Sequence, residues 1–118
     1  MNDRGGVTVL ELLITVVIIG VLAAVLAPSL MNARDSARHR GAEIHAKNVY
    51  TASFAYLAEE TGNTLVVGDC TDGYVAGNYS VDAPRGSAVV SCVVSDADGD
   101  GRPEVVIVTS AGRKIAQP

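Results

Sequence analysis

The sequence predicts an α+β fold: a long N-terminal helix packed on a small antiparallel β-sheet of 3–4 strands. Three observations carry this. Leu12 to Ala27 reads LLITVVIIGVLAAVLA, with no charge and Thr15 as its one clearly polar side chain. The residues beyond it keep helix-forming composition but turn amphipathic, with apolar positions at i, i+3/i+4 spacing. From Thr64 onward the pattern changes to short β-branched or aromatic runs broken by Gly, Asp and Pro.

The first element is dictated by length and polarity. Val7 to Ala27 is 21 residues, which as a helix rises roughly 31 Å, about one hydrocarbon core. Glu11 stands at its head. A carboxylate at the edge of a membrane span is costly and points to a function with a named partner. If the chain is cut after Gly6, the new α-amino group of Val7 supplies that partner, and Glu11 becomes the fifth residue of the mature chain.

A short charged leader ending in Gly, then a hydrophobic helix with Glu at its fifth position, resembles the class III signal of type IV prepilins and pseudopilins. Gly20 and Pro28 sit where many pilins carry a helix-loosening Gly and Pro. Val7 departs from the pattern, since the family usually has Phe there. The resemblance covers roughly Gly5 to Leu30. It implies cleavage by a prepilin peptidase between Gly6 and Val7 and N-methylation of Val7. It further implies an inner-membrane stage and a homo-oligomeric helical filament built by pilus assembly machinery. Glu11, Gly20 and Pro28 are then the assembly residues. Minor pilins and the pseudopilins of type II secretion or DNA uptake share the signal, and abundance at the cell surface separates them from a major pilin. A membrane-tethered calcium-binding module that never polymerises is the rival from another class; it keeps Met1 and does not depend on Glu11.

The chain then divides into a leader (1–6), a hydrophobic helix (7–28), an amphipathic continuation (29–62) and a β-sheet head (63–118). Pro28 removes one intrahelical bond, so a bend is expected there. Ala42, Ala46, Val49, Tyr50, Ser53, Phe54 and Leu57 form the expected buried stripe, and Gly62-Asn63 the expected C-cap near Thr61. Arg34, Arg38, His39 and Arg40 read as a solvated face near headgroups or a neighbouring subunit. His39 and His45, six apart, are off metal-ligand spacing and receive no chemistry. The expected strands are Thr64 to Val67, Tyr74 to Val81, Ala88 to Val94 and Val105 to Thr109.

With one Phe, four Tyr and no Trp in 118 residues, the head has a small aliphatic core that calls for a staple. Cys70 and Cys92 are the two cysteines, and outside the cytosol they read as a disulfide. Counted naively, Arg4 before the span against Arg34, Arg38 and Arg40 after it favours a cytoplasmic head; the cleavage motif and the cysteines favour the opposite side. A net charge of −4 speaks against nucleic acid as a general partner.

Asp96-Ala97-Asp98-Gly99-Asp100-Gly101-Arg102-Pro103-Glu104 reads DxDxDGxxE. Asp96, Asp98 and Asp100 can converge on one hard cation, the Arg102 carbonyl can add an oxygen, and Glu104 can close the shell, so calcium is the expected ion. Ile107 stands where an EF-hand has its bidentate Glu; the motif is nearer to the calcium loops between β-strands of some propeller repeats. The competing reading is an acidic hairpin tip that is merely soluble. No Ser/His/Asp or Cys/His arrangement, phosphate-cradling loop or CxxC occurs, so neither an enzyme nor a small-molecule substrate is expected. Asn78-Tyr79-Ser80 fits the N-x-S/T pattern without deciding glycosylation.

Overall fold

A computed structural model describes residues 6, 8–86 and 88–118. The element order is α1 (Val9–Glu59), β1 (Gly68–Asp69), β2 (Gly73–Ala76), β3 (Tyr79–Asp82), β4 (Val89–Ser95), β5 (Glu104–Thr109) and β6 (Lys114–Gln117). This is the α+β arrangement expected, with a four-stranded antiparallel sheet ordered β1-β4-β5-β6 and a separate β2-β3 hairpin. Two compact units make up the chain, Met1–Asp35 and Ser36–Pro118.

In the first unit the helix buries nothing. Every described residue from Val9 to Asp35 is exposed, including Leu12, Ile14, Ile18, Ile19 and Leu22. Such a surface in water would be an aggregation site, and the helix is long and apolar enough to cross a membrane. Helical structure continues through Gly20 and Pro28 without a break. The hydrogen bond lost at Pro28 therefore does not end the element.

In the second unit the helix packs on the sheet. Ala42, Ala46, Val49 and Ala52 join Cys70, Tyr74, Ala76, Cys92, Val94, Val105 and Ile107 in one buried core. The buried stripe is rotated from the one expected. Ala42, Ala46, Val49 and Ser53 are buried, but His45 and Ala52 join them while Phe54 is 48% exposed. Small side chains let the sheet approach the helix backbone, and Phe54 instead stacks on Tyr50 at the rim, with ring centroids 6.1 Å apart.

The helix ends at Glu59, and Asn63 caps it. Its side-chain amide donates to the Tyr56 carbonyl at 2.7 Å and its backbone N–H to the Glu60 carbonyl at 3.2 Å. Gly62 takes no left-handed conformation, so the cap is a side-chain one rather than the glycine type expected.

Three strand expectations are corrected. Residues 64–67 form no ladder; Leu65 and Val66 pack on the core, and the Val66 carbonyl accepts the Tyr74 hydroxyl at 2.8 Å. The run Tyr74 to Val81 is two strands, because Gly77-Asn78 folds it into a hairpin pairing Ala76 with Tyr79. Gly77, at φ +59°, is the turn residue such a two-residue loop demands. β6 was not expected; it pairs along β5 from Val105↔Gln117 to Val108↔Lys114. Expected strands Ala88 to Val94 and Val105 to Thr109 correspond to β4 and β5, which pair with a register shift between Val89 and Ser91.

Candidate functional site

Three groups of residues carry chemistry, and each is positioned by its local sequence. The first is the start of α1. Thr8 N–H donates to Glu11 Oε2 at 3.0 Å, and Glu11 N–H donates to Thr8 Oγ1 at 3.2 Å. This reciprocal pair is a capping box, T-x-x-E, which satisfies two of the first-turn donors that no helix can satisfy internally. Thr15 Oγ1 donates to the Glu11 carbonyl at 2.8 Å. Glu11 is thus held by its own chain at the head of the exposed apolar surface. Thr8 is not among the residues singled out from the sequence; its signal is the T-x-x-E spacing before an apolar run. Gly6 is exposed at φ +108°, while Val7 and the leader residues 1–5 lie outside the described residues. A Cβ at Gly20 would meet open space, so nothing among the described residues requires a glycine there. Pro28 is likewise exposed.

The second group is the disulfide. Cys70 and Cys92 are bonded, with Cα atoms 4.9 Å apart, and both are fully buried. Cys70 N–H donates to the Cys92 carbonyl at 2.9 Å, and Cys92 N–H to Thr71 Oγ1 at 3.0 Å. His45, 4% exposed, reaches from the helix to the Cys70 carbonyl at 2.8 Å. A carbonyl only accepts, so His45 Nε2 carries the proton. A residue left without a role by its spacing is a helix-to-sheet strut. Its signal was weak: a polar side chain on the face otherwise made of alanine and valine. Hydrogen bonds from the Thr71 side chain and backbone hold the Asp69 carboxyl below its ordinary value. Burial pushes the Tyr74 hydroxyl up, against a smaller opposing effect of Ser53.

The third group is the β4–β5 loop. Carboxylate oxygens of Asp96, Asp98 and Asp100 lie within 4.8 Å of one another, close enough to share one cation. The loop amides orient them. Gly101 N–H donates to Asp96 Oδ2 at 3.0 Å, Asp100 N–H to Asp98 Oδ1 at 3.3 Å, and Arg102 N–H to Asp100 Oδ1 at 2.8 Å. One oxygen of each aspartate is therefore spent on the loop and one remains. Among the described residues Asp96 Oδ1 is buried without a hydrogen-bond partner, an arrangement that costs free energy unless a cation or water meets it. Arg102 Nε stands 4.0 Å from Asp100 Oδ2, at the limit of an ion pair and exposed, so it contributes little. Glu104 is half-buried at the start of β5, paired with Ser95, and is outside the three-aspartate cluster. Pro103 is fully buried and anchors the loop.

Comparison with known proteins gives no match among curated sequences and none among solved structures. Residues 1–27 match the family described as the prokaryotic N-terminal methylation motif. Over those residues, the chain carries the class III signal of a type IV pilin-like or pseudopilin precursor.

Proposed function

We infer that this protein is the structural subunit of a type IV pilus or a closely related filament. A prepilin peptidase cuts between Gly6 and Val7 and the new terminus is methylated. The apolar helix holds the chain in the inner membrane until it is drawn into a filament core of packed helices. The observation that carries this reading is the methylation motif heading a helix whose apolar half is wholly unburied. Glu11 neutralises the α-ammonium of a neighbouring Val7 and so sets axial register in a dry core. Removing one member of such a buried pair leaves the other uncompensated, at a cost of about 3–5 kcal/mol.

The test is the intact mass and N-terminal peptide of protein sheared from the cell surface. A chain beginning at methylated Val7, two hydrogens lighter for its disulfide, is the expected result. A chain beginning at Met1 and confined to membranes supports the tethered module instead. Glu11→Ala should leave the protein in the membrane without filaments, and normal filaments from that variant would sink the pairing. Gly20 and Pro28 give the helix places to extend during packing; Pro28→Ala filaments with wild-type helix order would remove that role.

The β4–β5 loop is a calcium site in this reading. The three unspent aspartate oxygens, with the orphaned Asp96 Oδ1 among them, suit a hard cation, and four acids within nine residues repel one another without one. Millimolar calcium should raise the melting temperature of the full chain, and Asp98→Ala should abolish the rise. An equal rise in the variant would identify the loop as a solvated tip.

A further inference from the structure

We propose that Thr8 is the positioning residue for the Glu11 carboxylate, holding it ready for a neighbouring chain. Thr8 acquires this role only if Glu11 pairs with a neighbouring α-ammonium, as inferred above.

A glutamate on an exposed first turn samples several rotamers, and a partner that binds one of them must freeze the rest. Here the freezing is done beforehand. Thr8 N–H fixes Glu11 Oε2, and Thr8 Oγ1 fixes the Glu11 amide on which that side chain is mounted. Among the described residues Oε2 alone of the two carboxylate oxygens receives a hydrogen bond, which leaves Oε1 for an incoming ammonium. The side chains that follow, Val9, Leu10, Leu12 and Leu13, are apolar and offer no competing donor.

The box also solves a problem of the environment. In hydrocarbon or a dry filament core, the first-turn N–H groups have no water to turn to. Glu11 satisfies the Thr8 N–H with the same carboxylate that meets the partner, so one side chain caps its own helix and recognises the next. Charge and position are separable by mutation. Gln at position 11 can still form the box but carries no charge, whereas Val at position 8 keeps the charge and removes the hydroxyl.

Full-length wild type, Thr8→Val, Thr8→Ser and Glu11→Gln would be compared for N-terminal processing, sheared filament yield and exchange of the Glu11 amide in detergent micelles. Thr8→Val should be cut normally, exchange that amide faster and yield about fivefold less filament, the equivalent of a lost helix cap. Thr8→Ser should restore both. Glu11→Gln should keep slow exchange and give no filaments. Wild-type filament yield from Thr8→Val overturns the role, as does a loss that Thr8→Ser does not rescue. An uncut Thr8→Val chain also overturns it, because the residue would then act on the peptidase. A wild-type chain with a protected Glu11 amide but no fibres sinks the filament reading itself, and that failure is distinct from failure of the box.

Discussion

Breaking the Cys70–Cys92 bond should cost the head a large share of its stability without changing its native contacts. The two cysteines are 22 residues apart, which in the chain-entropy model corresponds to about 3.4 kcal/mol lost from the unfolded side. A unit of the size of Ser36–Pro118 has an ordinary stability of about 4–12 kcal/mol, so the bridge decides whether it stays folded on warming. Native structure around the bond has other supports. The Cys70–Cys92 backbone hydrogen bond, the Thr71 hydroxyl, the β1–β4 pairing and the His45 strut do not pass through the sulfur atoms and should persist on reduction. The native state is therefore little changed and the unfolded chain is loosened. Near-UV circular dichroism of the tyrosines, on full-length protein in detergent, reports the head without the membrane helix. Reduction, or Cys70→Ala with Cys92→Ala, should lower the melting temperature by roughly 15–25 °C. The urea m-value should rise as the unfolded state expands. A fall of under about 5 °C with an unchanged m-value would refute this reasoning.

Further tests bear on single contacts. A Cβ at Gly77 would sit 2.7 Å from Tyr56 Cδ2 and Cε2 at φ +59°. Gly77→Ala should therefore cost about 1–3 kcal/mol in urea unfolding, and less than additively with Tyr56→Ala. Asp69, whose carboxyl is held below 3.8 in the fold by Thr71, stabilises the head above that pH, and the contribution is lost as pH falls through the folded value. Asp69→Asn should flatten the acid limb of the melting profile, and an NMR titration midpoint at or above 3.8 would contradict it. An impermeant protease added to spheroplasts should digest the head of the membrane-held chain; protection would place it in the cytoplasm.

The elements legible in the sequence are those whose signal is local. An unbroken apolar run, a β-branched strand bounded by Gly and Asp, and two cysteines in a Phe-poor core each declare themselves within a few residues. Where the structure departs from expectation, a partner distant in sequence decided the outcome. His45 is inside because the Cys70 carbonyl lies opposite it, 25 residues away, and spacing to His39 carried no such information. Residues 64–67 have strand composition, but the Tyr74 hydroxyl takes the Val66 carbonyl. β6 has only Ile115 as a strong strand former, and it exists because β5 offers an edge. The acidic loop was legible as a cluster. What the sequence could not assign was which oxygens the loop amides consume, and Glu104 shows the consequence: adjacent in sequence, it is a strand residue paired with Ser95.

The same distinction bears on which side of the membrane the head occupies. The charge count places one arginine, Arg4, before the span and Arg34, Arg38 and Arg40 after it, which favours a cytoplasmic head. That bias acts through individual Lys and Arg side chains near the span, and acids among them contribute little to it. The disulfide is a different kind of constraint. Both cysteines are fully buried within the same core as Val94, Val105 and Ile107, so oxidation is built into the head rather than added at its surface. A reducing compartment would leave this small, tryptophan-free core to hold without its staple. A topology written in surface charge can be overridden by the machinery that recognises residues 1–27, whereas the stabilisation of about 3.4 kcal/mol from the bridge is available to the head only in an oxidising environment. Under the proposed function, the cysteines and the methylation motif favour the same, non-cytoplasmic side, against the arginine count.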